Sequence, residues 1–280
     1  SEKGEVDRSM NIMKELNKEA AKHKLYKQQS DILVNLGVMN RLISDYPEAL
    51  KCYEKAMELH KTVKDDVVLC SLYDNMGVVH LNTGDYDKAL SYFEKSKKLA
   101  ERTSNVKGLM FSQSNEAMIR YQQGDLDTAL KLYSDCMDKA EKIGMIRHKS
   151  VVLGHLAAIS FYQADYKKAY DHSIESYKIS LDLGDRSGLC YICPTIGILS
   201  RKLGDNKTAF EYFYRHKALA EELKNKDQIA AAHANLAFMY SLMGDFKKSN
   251  DFYEKSTKIR LRLKDVSGVG HNYIDMGENY

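Results

Sequence analysis

Proline is nearly absent from this sequence: only Pro47 and Pro194 occur in 280 residues. A chain with so few helix breakers, and many Lys, Glu, Ala, Leu and Met, is biased towards helix along its whole length. No apolar run approaches the ~20 residues that cross a bilayer as a helix, and the opening SEKGEVDRS has no apolar signal core. Neither a membrane partner nor a secretory leader is expected. An excess of one charge is missing too. Forty-two basic and 39 acidic residues leave +3, too balanced for a dedicated nucleic-acid binder. The cysteines (Cys52, Cys70, Cys136, Cys190 and Cys193) are odd in number and scattered, which reads as reduced thiols in a cytoplasmic protein. The C-x-x-C at 190–193 lacks the second pair of a structural zinc site and the βαβ setting of a redox motif. Packing is its expected role. There is no Walker loop, no G-x-G-x-x-G and no H-E-x-x-H, and the nine His stand beside no Ser or Cys nucleophile motif. No enzyme, cofactor or metal site is expected.

What the chain does have is a period. GDYDKALSYFEKS at 84–96 returns forty residues later as GDLDTALKLYSDC, and forty after that as ADYKKAYDHSIES. Its Asp stands at 45, 85, 125, 165, 205 and 245 without insertion or deletion. Four residues on come Ala49, Ala89, Ala129, Ala169, Ala209 and Ser249, and four further Tyr53, Phe93, Tyr133, Ser173, Phe213 and Tyr253. A second column holds the same register: Gly37, Gly77, Ala117, Ala157, Gly197, Ala237 and Gly277. Periods of this length mark stacked repeats, because one short unit cannot bury its apolar face alone.

Each period reads as two helices, A over about 28–43 and B over about 46–62 of the first repeat. Asp65, Asn105, Asp185, Asn225 and Asp265 precede the A helices, where a side-chain oxygen caps free backbone N–H groups. The periodic Asp after the glycine caps helix B in the same way, and Pro47 falls in a first helical turn, where its missing N–H costs little. The small residue at 37 is expected to face the small residue at 49, letting A and B approach, while the aromatic column fills the space towards the next repeat. Pro194, in the middle of a helix A, should kink it; the plainer reading is a kink that the solenoid tolerates, the sharper one a groove widened at the fifth repeat.

Small-x-x-x-aromatic on helix B, apolar-small on helix A and a GD[YLF] link together resemble the tetratricopeptide repeat along essentially the whole chain. The usual unit has about 34 residues. The 40-residue unit, with NLG at 35–37 and LGDRSG at 183–188, is similar to the long-repeat subgroup of Partner-of-Inscuteable adaptors, kinesin light chains and bacterial peptide-pheromone receptors. The resemblance implies an all-α fold, an α-α superhelix or solenoid of stacked antiparallel helix pairs, without strands. Residues 4–24 are then helix B of a preceding repeat. Six full repeats follow (25–64, 65–104, 105–144, 145–184, 185–224 and 225–264), with 265–280 as helix A of a seventh, in one array over 1–280. Beginning and ending mid-repeat, the sequence reads as a piece of a longer protein; the alternative is that the half-repeats are the natural caps of the array.

The A helices of such an array line a concave groove. Two residues before the small position stand Asn35, Asn75, Asn115, His155, Thr195, Asn235 and Asp275. Helix propensity does not explain so many Asn at one place, and an amide offers both donor and acceptor to an extended backbone. The resemblance implies a polar ladder that clamps a peptide; the alternative is that these side chains fix the stacking. Val38, Met118, Ile198 and Phe238 form a further groove level, and Arg41, Tyr121, Phe161 and Arg201 another, flanked by Arg120 and Lys202. The mixture suits a partner segment with apolar side chains and some acidic groups. The expected function is a protein-interaction scaffold for a protein or peptide partner, not for nucleic acid, membrane or a small-molecule cofactor. The alternative is a ligand- or peptide-sensing module of a larger signalling protein.

Overall fold

The computed structural model describes residues 2–277, with side chains from residue 8 onward. Among the described residues there are fourteen α-helices and no strand. They fall into two compact units, Ser1–Gly144 and Met145–Tyr280. The first unit contains α1 (Glu2–Lys22), α2 (Tyr26–Leu42), α3 (Tyr46–Val63), α4 (Asp66–Asn82), α5 (Tyr86–Arg102), α6 (Val106–Gln122) and α7 (Leu126–Lys142). The second contains α8 (Ile146–Tyr162), α9 (Tyr166–Asp182), α10 (Arg186–Lys202), α11 (Asn206–Glu222), α12 (Lys226–Leu242), α13 (Phe246–Leu263) and α14 (Val266–Gly277). Even-numbered helices are the A helices and odd-numbered ones the B helices. In each unit A packs most closely on the B that follows it, and each such pair stacks on the next.

The turns set the period. At every joint one residue takes the left-handed conformation and the helix end closes on itself. Gly84 has φ +78°, its N–H reaches Leu81 O at 3.1 Å and the N–H of Asp85 reaches His80 O at 2.9 Å. The periodic Asp then starts the next helix: Asp85 Oδ1 accepts from Lys88 N–H at 3.2 Å, and Asp45, Asp125, Asp165, Asp205 and Asp245 cap likewise. The A helices are capped as expected at Asp65, Asn105, Asp185, Asn225 and Asp265. Ala164 holds the left-handed position at φ +59° where glycine stands in four sister turns. Ala164→Gly should relieve a strain of about 1 kcal/mol, read as a higher melting temperature for the second unit.

The interior adds one contact to those expected: Gly37, Gly77 and Gly197 of the A helices also meet the aromatic column. A Cβ on Gly37 would run into the Tyr53 ring and one on Gly77 into the Phe93 ring, and one on Gly197 would stand 2.6 Å from Phe213. Tyr53, Phe93 and Phe213 thus lie against the bare backbone of their own helix A. The column also reaches the following repeat, where Tyr53 joins Leu33, Ala49, Leu72, Met76 and Val79. Cys190 and Cys193 pack with Leu189, Leu219 and Ala220, so the C-x-x-C is core. All five thiols are free and buried. Pro194 leaves α10 unbroken from Arg186 to Lys202.

Three pairs of successive A helices approach one another most closely: α2 with α4, α4 with α6, and α10 with α12. No successive B helices do so to the same degree among the described residues. The A helices therefore line the inner side of each stack.

Candidate functional site

The inner face carries the same cleft in both units. In the first, a cleft of about 280 Å³ opens between α2 and α4, lined by Asp31, Val34, Asn35, Val67, Val68 and Ser71. In the second, a cleft of about 300 Å³ lies between α8 and α10, with Val151, Gly154, Tyr191 and Thr195 among its walls. Three of these places correspond, since 151 follows 31, 154 follows 34 and 191 follows 71 by whole periods, whereas Asn35 lines the first cleft alone and Thr195 the second alone. Where Val34 stands in the first cleft, Gly154 stands in the second. Its floor is polar, because Ser150 meets Ser176 (Oγ to Oγ 2.9 Å) and Ser180 (3.4 Å) on α9. Arg147 closes one end through Asp185, Nη1 to Oδ2 2.7 Å, tying α8 to α10.

The ladder positions share a face but not a role. Asn35 is exposed in the wall of its cleft, and Thr195 is half-buried in the other. Asn75 donates from Nδ2 to Ser71 O of its own helix at 2.9 Å, so its carbonyl oxygen is left for another donor. Asn115 and Asn235 are half-buried. His155 departs chemically, since burial and the neighbouring His148 push its imidazole down to about 4. Asp275 accepts from the Tyr253 hydroxyl at 3.0 Å, which joins α14 to α13 and serves stacking.

The other expected contact residues divide similarly. The Arg201 guanidinium lies over the Phe238 ring at 5.0 Å, with Phe238 38% exposed. Phe161 packs on Tyr166 at 5.5 Å, and Lys202 Nζ sits over that same ring at 5.6 Å. Arg201, Phe238, Phe161 and Lys202 thus combine aromatic surface with positive charge. Tyr121, Val38 and Met118 are half-buried. Ile198 packs against the cluster of Ala209, Phe213, Leu236 and Met239, which makes it a core contact. Arg41 is half-buried with its Nε out of solvent; it lies near enough to the Tyr53 phenol to oppose the upward push of burial there. Arg120 approaches Glu116 at 3.8 Å.

Two features escape a reading of the sequence. The cleft walls at Asp31, Val67 and Val68 lie outside the columns that define the groove, and the glycine at 154 in a column of Val34, Asp74 and Ser114 is the available signal. The second is Asp74, which accepts from Ser112 Oγ at 2.8 Å between α4 and α6. Burial pushes its carboxyl up to about 7, with Ser112 and Ser96 opposing.

Nothing at these places resembles a reacting group. Burial pushes the Cys193 and Cys136 thiols up to about 12, which keeps them protonated and poorly nucleophilic. Among the described residues no three His, Cys, Asp or Glu side chains are placed to hold a metal ion, and no helix is long and apolar enough to cross a membrane.

A family model described as tetratricopeptide repeat matches residues 28–105 and 193–262, more than half of the chain. A comparison with curated protein sequences finds no match. Among solved structures, the chain is similar to a signal-transduction ATPase with numerous domains and a tetratricopeptide repeat sensor, from Pyrococcus horikoshii. That match has 16% identity and a TM-score of 0.77, and covers 98% of this chain and 44% of that one. BtubC from P. vanneervenii matches at 17% identity and a TM-score of 0.64, over 79% of this chain and 91% of that one. A Rap conjugation gene regulator of the plasmid pLS20, solved in complex with the Phr* peptide, matches at 10% identity and a TM-score of 0.64. It covers 93% of this chain and 77% of that chain.

Proposed function

This chain belongs to the tetratricopeptide repeat family, and on that premise we propose that it is a protein-interaction module holding a peptide segment of a partner along its A-helix face. The observation that carries the reading is the recurrence of a cleft between successive A helices in both units, with matching walls at Asp31 and Val151, Val34 and Gly154, and Ser71 and Tyr191, and with one ladder residue in each, Asn35 and Thr195. The Asn35, Asn75 and Asn115 amides offer hydrogen bonds to an extended backbone. The Arg201–Phe238 and Lys202–Tyr166 pairs suit a segment with apolar and acidic side chains. The Rap regulator bound to a peptide has the same fold, which supports this mode. No catalytic role is proposed.

The test is Asn75→Ala combined with Asn115→Ala. Each change removes a peptide hydrogen bond, at about 1–3 kcal/mol where the partner group is left unpaired. Together they should weaken binding by roughly 30-fold or more. A pulldown with wild-type and double-mutant protein, followed by titration of the recovered segment, reads the effect. Equal affinity at matched melting temperatures would sink the groove reading. Unfolding of the double mutant would assign these amides to stacking.

A second reading, a sensor module of a larger signalling protein, is favoured by the P. horikoshii ATPase. There the region similar to this whole chain makes up less than half of the protein. A catalytic or DNA-binding domain adjoining this sequence in its gene would select that reading; a gene ending with the repeats would reject it.

A further inference from the structure

The two residues of helices A and B that meet on the outer side of each repeat, twelve apart in sequence, are rings in some repeats and not in others. In the second repeat His80 stacks on Tyr92, centroids 5.5 Å apart and planes 8° from parallel. In the sixth, Tyr240 stacks on Phe252 at 5.5 Å and 13°, and the Tyr214 hydroxyl from the preceding B helix meets that of Tyr240 at 2.7 Å. The corresponding pair in the first repeat is Asn40 and Cys52. Both are small, and the space that rings fill elsewhere is a cleft of about 360 Å³ between α1, α2 and α3. A cavity of roughly 150 Å³ already holds a benzene ring.

The cleft is not merely roomy. Its apolar walls include Leu33 and Leu36, three amides (Asn11, Asn17 and Asn40) line it, and lysine and glutamate side chains of α1 and α3 rim it. Asn40, only 2% exposed, donates from Nδ2 to Leu36 O at 2.9 Å and to Cys52 Sγ at 3.8 Å. Its Oδ1 accepts no hydrogen bond among the described residues. Asn17 Oδ1, on α1, is by contrast fully buried and out of a ligand's reach. The geometry points to a planar ring carrying an N–H or O–H donor, a phenol or an indole, bound between α1 and α3 with its face on Leu33 and Leu36 and its donor to Asn40 Oδ1. The ring would stand where His80–Tyr92 and Tyr240–Phe252 stand in their own repeats. This site lies on the outer side of the first unit, away from the A-helix face, and does not depend on the peptide reading.

The decisive variant copies the second repeat into the first: Asn40→His with Cys52→Tyr, which fills the slot from within. Amide NMR of the full chain, titrated with 4-methylphenol and with indole, reads binding; a Gly-Tyr-Gly peptide with blocked ends, in a second arm, distinguishes a free ring from a partner's side chain. Saturable shifts confined to α1, α2 and α3 are expected for wild type at millimolar probe, lost in the filled variant, whose melting temperature is equal or higher. If the filled variant does not fold, Asn40→Leu serves instead and should weaken 4-methylphenol by roughly tenfold while leaving toluene bound. Absence of saturable shifts in wild type with all three probes overturns the proposal, as does undiminished binding by the variant used.

Discussion

Gly77→Leu is expected to destabilise the first unit severely. A Cβ at residue 77 would stand 2.7 and 2.9 Å from two carbons of the Phe93 ring and closer still to a third, and that ring is 2% exposed. It has no free space to turn into, so α4 and α5 must separate. Overpacking of a filled core costs about 1–3 kcal/mol, occasionally more. Gly77→Leu adds a whole side chain to a contact already shorter than van der Waals distance at its first atom. The loss should fall at or above the top of that range, and show as an earlier thermal transition. Phe93→Ala combined with Gly77→Leu makes room for the new side chain and should recover part of it. An unchanged melting curve for Gly77→Leu would mean that the ring does not lie on this glycine.

Mild acid should open the second unit before the first. Five of its histidines, His148, His155, His172, His216 and His233, are held below the ordinary imidazole value by burial, against only His80 in the first unit. A histidine kept neutral in the fold costs nothing above pH 6.5. As the pH falls below 6.5 the unfolded chain takes up the proton and the folded chain does not, so stability drains away until the folded value is reached. For His155, with its value near 4, the loss is up to about 3 kcal/mol. Asp74 acts the other way. Its carboxyl holds a proton up to about pH 7, so the stability it contributes is complete below its ordinary value of 3.8 and is lost as the pH rises towards 7. Hydrogen exchange between pH 7.5 and 4.5 should therefore show protection failing in α8–α12 while α4–α6 hold. Simultaneous loss in both units would contradict this assignment, and His155→Gln should move the transition of the second unit to lower pH.

The repeat, the helix boundaries and the caps are legible in the sequence because they are local. Asp85 needs only its own first turn to bind Lys88 N–H, and a fixed 40-residue register repeats that statement six times. The contact between glycine and ring inside the repeat is less legible. A column of small residues beside a column of aromatics fits small against small and small against ring equally well, and only the depth of Tyr53 and Phe93 brings in the ring. The candidate site is legible as a face and not as a set of contacts. Asn35 and Thr195 do line clefts, whereas Asp275 is taken by Tyr253 and Ile198 by the core. Those outcomes depend on side chains from other helices, which no column of one helix records. Nor can a column show that Asn40 and Cys52 leave a gap, since a gap exists only by comparison with the rings that fill it elsewhere.

If the A-helix face is the working surface, a partner segment must lie within reach of it and out of reach of the B helices. The most direct measurement places a photoactivatable residue at one position of each face and asks which captures the segment. Asn115, on α6 among the A helices, is compared with Lys95, exposed on the B helix α5. Cross-linking from position 115 and none from position 95 is the predicted result. Cross-linking from position 95 alone would contradict it.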